Sequence, residues 1–165
     1  MVDCTKKAPR WLLMALVVGM ALCGVDGSWA NEPDAWKQLF TDGVKAREAA
    51  HYAEAEQLLQ RALHEAEQAR SDDSRVAMAA NNLGLLYHDQ GRLQEAQSLY
   101  ARALAIWEQH LGPEHEDVAA ALNNLAEIAH AEGDWSRAEP LYERVLAIER
   151  KVLGAAHPDV AISLN

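Results

Sequence analysis

The chain has 165 residues, a net charge of −10 and two cysteines, Cys4 and Cys23. A field of that sign repels phosphate backbones and anionic lipid, which argues against nucleic acid as a partner. Both cysteines lie before residue 31, so a domain that follows holds together by its apolar core, without disulfides or thiol chemistry.

Residues 1–30 have the layout of a secretory signal. Lys6, Lys7 and Arg10 are followed by an uncharged run from Trp11 to Val25, then by Ser28-Trp29-Ala30, a small-x-small pattern that places cleavage after Ala30. The run of 15 is short for a membrane span, which needs about 20 residues. The expectation is an exported chain, periplasmic or secreted, with no stable span after cleavage. An anchor formed by an uncleaved signal is the alternative. Three of the 15 basic and two of the 25 acidic residues fall in this segment, so residues 31–165 carry 12 against 23, a net charge of −11.

From about 35 to 75 the chain carries a weak copy of what comes later. Glu54-Ala55, Leu58, Ala62-Leu63 and Glu67-Gln68 recur 41 residues on as Glu95-Ala96, Leu99, Ala103-Leu104 and Glu108-Gln109. The spacing is one short of the later one because the connection at 69–75 is one residue shorter. Gly43 falls where Gly84 falls.

Residues 76–117 and 118–159 are two clear copies at a spacing of 42. Asn81-Asn82-Leu83-Gly84 recurs as Asn123-Asn124-Leu125-Ala126, Gly91 as Gly133, Leu99-Tyr100 as Leu141-Tyr142, and Asp117-Val118-Ala119 as Asp159-Val160-Ala161. Each copy reads as two helices. From Val118 to Ala131, apolar residues at 122, 125, 126 and 129 make one helical face, with Asp117 expected as N-cap and Gly133 as the stop. The second helix is expected from about Trp135 to Leu153, its stripe made by Ala138, Leu141, Tyr142, Val145 and Ile148. Ser136 and Glu139 read as a capping box that keeps Pro140 near the helix start. Residues 160–165 open a fourth copy, the stretch DVAISLN at 159–165 echoing DVAAALN at 117–123, and the last of them, Asn165, starts its rung. With no polar capping helix after it, the expectations are an interrupted fourth repeat, a fragment of a longer protein, or a C-terminal end covered by a second copy.

A helical hairpin cannot bury both faces alone, whereas stacked copies can. The pattern Leu-Gly/Ala-x-x-Tyr, then Gly, then Ala-x-x-x-Tyr-x-x-Ala resembles the tetratricopeptide repeat, and the 42-residue spacing is similar to the kinesin light chain type. Departures are Ala129 for the usual Tyr, Val145 for Ala, and Asp42 for Leu in the first copy. The resemblance implies an all-α fold, a right-handed superhelical solenoid of antiparallel helix pairs. It implies too that the first helices line a concave surface that binds a peptide or protein.

By register that surface carries Asn81, Leu85 and His88, then Asn123, Glu127 and His130, with Phe40, Val44 and Arg47 as poorer equivalents in the first copy. An asparagine offers a carbonyl and an amide together, so Asn81 and Asn123 are the candidate clamps on an extended backbone; the other reading is that one Asn of each pair ties neighbouring helices. His88 and His130 stack at the repeat spacing, but two ligands fall short of a metal site. Trp36, Trp107 and Trp135 read as inter-repeat packing or as partner anchors. Kinesin light chains use basic groove residues against acidic peptides; only Lys37 and Arg47 are basic here, so that preference is not carried over. No catalytic constellation, phosphate loop or cofactor motif occurs, and the expected function is a binding scaffold. The alternatives are an accessory part of a longer, enzymatic protein and a self-assembling solenoid.

Overall fold

The computed structural model describes residues 34–69 and 73–152. The segment 1–30 with its cleavage position, the apolar end at 160–165, and Gly154, His157 and Asn165 lie outside the described residues. Six helices are described, with no strand among the described residues: α1 (Asp34–Glu48), α2 (Tyr52–Gln68), α3 (Asp73–Asp89), α4 (Leu93–Leu111), α5 (Glu116–Ala131) and α6 (Trp135–Val152). Each packs on its neighbours in sequence, and α1 also touches α3. The three hairpins α1–α2, α3–α4 and α5–α6 therefore stack in a row, as the repeat spacing predicts.

The turn inside each hairpin is the same device. The N–H groups of Ala50, Gly91 and Gly133 bond to the carbonyls of Arg47, His88 and His130, all at 2.9 Å; those of His51, Arg92 and Asp134 reach back five residues to Ala46, Tyr87 and Ala129. This pair of bonds closes a helix on a left-handed residue. Gly91 (φ 74°) and Gly133 (φ 76°) supply that conformation freely, and Ala50 (φ 59°) is forced into it. The degenerate first repeat thus keeps the turn and loses the glycine.

Within a hairpin the helices approach closely where a side chain is missing. A Cβ on Gly84 would stand 2.7 Å from the Tyr100 ring, and one on Gly43 would stand 2.8 Å from Leu59 Cγ. Tyr100 and Leu59 are fully enclosed as a result. Between hairpins the packing is apolar. Ala77, Ala103 and Trp107 of the second hairpin share one cluster with Val118, Leu122, Val145 and Ile148 of the third. A second cluster joins Ala55 and Leu59 to Leu83, Leu86, Tyr87, Ala96 and Tyr100.

Two helix starts differ from expectation. α5 begins one residue before Asp117, and its N-cap is His115, whose Nδ1 accepts from the Asp117 N–H at 3.2 Å. Asp117 sits instead in the first turn, where its charge complements the helix dipole. α6 begins at Trp135 with the cap at Asp134, not Ser136: Asp134 Oδ1 accepts from the Arg137 N–H at 3.2 Å and from the Ser136 hydroxyl at 2.6 Å. Those bonds, that of Ser136 first, hold the Asp134 carboxyl below its ordinary value. Pro140 is inside α6, in its second turn, where its missing N–H leaves the Ser136 carbonyl without its helical partner.

Candidate peptide-binding groove

The face expected to form the groove is that of α1, α3 and α5, the first helix of each hairpin. Met78 on α3 and Ala120, Glu127 and His130 on α5 are exposed, while Asn81, Asn82, Leu85 and His88 of α3 and Asn123 and Asn124 of α5 are half-buried. These positions recur every three or four residues, so they fall along one side of each helix.

The two asparagine pairs are used differently from one another. Asn124 Nδ2 donates to Asn81 Oδ1 at 3.1 Å, a part-buried bond across 43 residues that joins α5 to α3. The Asn81 carbonyl is therefore spent on a strut between rungs, the alternative that the sequence left open for one Asn of each pair. Asn123 donates to Glu127 Oε1 at 2.9 Å along its own helix, and Asn82 to the Met78 carbonyl at 3.0 Å.

Charge on this face is uneven. Arg47 of α1 meets Asp89 of α3 at 2.9 Å, so the basic group expected from the first copy is neutralised in place. Glu127 is held by a neutral amide and has no ion-pair partner among the described residues. Its field reaches the tyrosines beneath. Burial first, then Glu127 and Asp89 against the opposing Arg47, push the Tyr100 phenol well above its ordinary value. Burial and Glu127 raise that of Tyr142 too.

His130 stands edge-on to Trp135, centroids 4.5 Å apart, and Trp135 is 63% exposed. His88 is half-buried on α3. Among the described residues no group of three His, Cys, Asp or Glu is placed to hold a metal ion. Trp107 is 3% exposed in the core between the second and third hairpins, one of the two uses foreseen for it. Trp36 stacks on Phe40 at 5.1 Å with the Arg75 guanidinium over its ring at 5.4 Å.

Sequence reasoning missed three features here: the Arg47–Asp89 bridge, the Asn123–Glu127 bond, and the network around Tyr87. In the last, Tyr87 donates to Glu56 at 3.0 Å and accepts from Gln60 at 3.1 Å, while Arg92 lies over its ring at 3.8 Å and bonds Glu56 at 3.0 Å. Only the i,i+4 spacing of Asn123 and Glu127 could have flagged one of them. No helix among the described residues is long and apolar enough to cross a membrane.

Comparison with known proteins agrees with this architecture. No curated protein matches the chain significantly. Among solved structures it is similar to BtubC (BKLC) from P. vanneervenii, with a TM-score of 0.73 at 25% identity over 84% of this chain and 56% of that one. It is similar also to a kinesin light chain-like protein of nearly identical TPR-like repeats from Podosopora anserina: TM-score 0.66, 27% identity, 81% of this chain and 64% of that one. A single-substitution variant of that protein gives 0.69, 25%, 81% and 63%. The chain thus spans well under two thirds of the first and just under two thirds of the others. The family model of the tetratricopeptide repeat matches residues 46–109, 75–151 and 117–165, and the chain belongs to the tetratricopeptide repeat family.

Proposed function

We propose that the chain is an exported, non-catalytic scaffold whose groove holds an extended stretch of a partner protein. The observation that carries this is Glu127. It is an exposed carboxylate without a cationic partner among the described residues, oriented by Asn123, on a face that also carries Leu85, Val44, Met78, His88, His130 and polar amides. An acidic group left uncompensated one rung from an apolar position, Leu85, is complementary to a basic side chain flanked by an apolar one.

The spacing of the ligand follows from the fold. Packed helices stand about 8–10 Å apart, and an extended chain rises about 3.3 Å per residue, so one rung corresponds to about three residues. The ligand is an extended segment with an apolar residue against Leu85 and Val44 and a Lys or Arg about three residues away, facing Glu127. Asn123 is the remaining clamp candidate; Asn81 contributes by fixing α3 to α5. Export is supported by the basic, apolar and small-residue layout of residues 1–30.

The test is a display library of extended random peptides selected on the chain from residue 31 onward. Selected peptides carry the apolar–basic pair, and Glu127→Lys lowers their affinity at least about tenfold, the 1.4 kcal/mol of one opposed charge contact, with the helical circular dichroism unchanged. Peptides without a basic residue, or with affinity indifferent to Glu127→Lys, would refute the proposal.

A further inference from the structure

The charge on the groove face changes sign from its first rung to its third. Three registers, Lys37/Met78/Ala120, Phe40/Asn81/Asn123 and Val44/Leu85/Glu127, give α1, α3 and α5 equivalent places on that face. On α1, Lys37 is exposed and has no partner among the described residues. On α3 the three places hold Met78, Asn81 and Leu85, none of them charged. On α5, Glu127 is exposed without a cation, and Glu116, one turn before Ala120, is a second exposed carboxylate without one among the described residues. The other charges of the α1 rung do not offset Lys37. Arg47 is bridged to Asp89 at 2.9 Å, and Glu48 lies at the far end of the helix, about 16 Å from Lys37 at 1.5 Å per residue.

We propose that this polarity selects a partner segment with two opposite charges in a fixed order: an acidic residue over Lys37, an apolar one over α3, and the basic one at Glu127. The proposal rests on the groove as the binding face and adds to it the acidic residue and the order of the charges. The span fixes their spacing. Lys37 and Glu127 are two rungs apart, about 16–20 Å across packed helices. They also differ by seven register places along the helices, about 10 Å. The diagonal is about 20 Å, which about six residues of extended chain cover. The segment therefore runs acid-x-x-apolar-x-x-base from α1 to α5, whichever way its backbone points, with the apolar residue midway against Met78 and Leu85. The opposite order sets a base against Lys37 and an acid against Glu116 and Glu127, so it is repelled at both ends.

The test uses labelled synthetic peptides of the form Glu-x-x-Leu-x-x-Lys and Lys-x-x-Leu-x-x-Glu, with x Ser or Thr, so that both backbone directions are represented. Binding to the full-length protein is read by fluorescence anisotropy at low salt, and the tighter peptide is carried forward. Lys37→Glu puts a carboxylate in the first turn of α1, where the helix dipole favours it, and circular dichroism checks that the fold is kept. Lys37→Glu should weaken this peptide about tenfold and leave the version with Gln for its Glu within about twofold, a difference that shrinks in high salt. An equal effect on the two versions, or none on either, overturns the proposal. The same comparison at the other end, Glu127→Lys against the peptide with Gln for its Lys, tests the groove itself. Coupling at Glu127 without coupling at Lys37 overturns the order of charges and leaves the groove as the binding face. No coupling at Glu127, or no binding of either peptide, overturns both.

Discussion

The two joints of the solenoid are built from different chemistry on the same backbone plan. Between the first and second hairpins, Tyr87, Glu56, Gln60 and Arg92 form a closed polar network, and Arg47 bridges to Asp89. Between the second and third, Trp107 packs among Val118, Leu122, Val145 and Ile148, and the polar link along the groove side is the Asn124–Asn81 bond. The cause is local: Ala129 and Asp134 replace Tyr87 and Arg92 at the later joint, while the degenerate first hairpin offers Leu59 beside two small residues, Ala46 and Ala55, to the earlier one. Half-buried polar groups that satisfy one another across the joint add to its apolar packing. The consequence is a division of sensitivities. Both joints respond to the loss of volume, and the first adds a response to salt and pH.

The largest effect is expected at the apolar joint. Trp107→Ala removes a side chain that is 3% exposed and leaves a cavity between α4 and α5, costing about 3–5 kcal/mol in denaturant unfolding. Its indole N–H is buried without an acceptor among the described residues, so the loss is one of packing, and the cost holds in high salt.

At the polar joint, Tyr87→Phe keeps the ring beneath Arg92 and removes the hydroxyl from Glu56 and Gln60. A loss of about 1–2 kcal/mol is expected, read as a shift of the denaturant midpoint. The same joint has an alkaline limit. Tyr87 and Tyr100 are both held above the ordinary phenol value, chiefly by burial. Unfolded phenols ionise near pH 10 while these stay protonated, so the stability they contribute is complete below about pH 10 and falls as pH rises beyond it. Tyr100→Phe should flatten that limb of the stability–pH curve; a curve that still falls as steeply would place the alkaline sensitivity elsewhere.

A smaller change runs the other way. Ala50→Gly places glycine where the first turn needs a left-handed residue, and a gain of about 0.5–1 kcal/mol is expected, whereas Gly91→Ala or Gly133→Ala should lose a similar amount. The smallest effect belongs to the outer ladder of ion pairs on the second helices, Glu67–Arg102 and Glu108–Arg144, at 2.7 and 2.6 Å. Arg102→Gln should cost about 0.5 kcal/mol or less and vanish in high salt. A larger, salt-independent loss would show that this surface is part of the joint.

The fold was legible because its signal repeats. Leu83/Leu125, Ala96/Ala138 and Tyr100/Tyr142 occupy equivalent places 42 residues apart, and a face that recurs at that interval is buried by its neighbours. What stayed hidden depends on rotation and on atoms beyond Cβ. Asn123 and Asn124 differ by about 100° around one helix. Which of them turns to the previous rung is set by how the hairpins rotate on one another, so the Asn81–Asn124 strut was left as an alternative. The cap at His115 was missed because an imidazole nitrogen is a rarer acceptor than the carboxylate two residues on. The pairing of Arg47 with Asp89 is hidden because Asp89 has no counterpart in the third copy, where Ala131 stands.

The most direct test of the account is to map a selected peptide on the protein by amide chemical-shift perturbation. The account predicts shifts concentrated on α3 and α5 at Asn81, Leu85, Asn123 and Glu127, with α2, α4 and α6 little changed. Shifts concentrated on the outer helices, Val145 and Ile148 of α6 among them, would contradict it by placing the partner outside the groove.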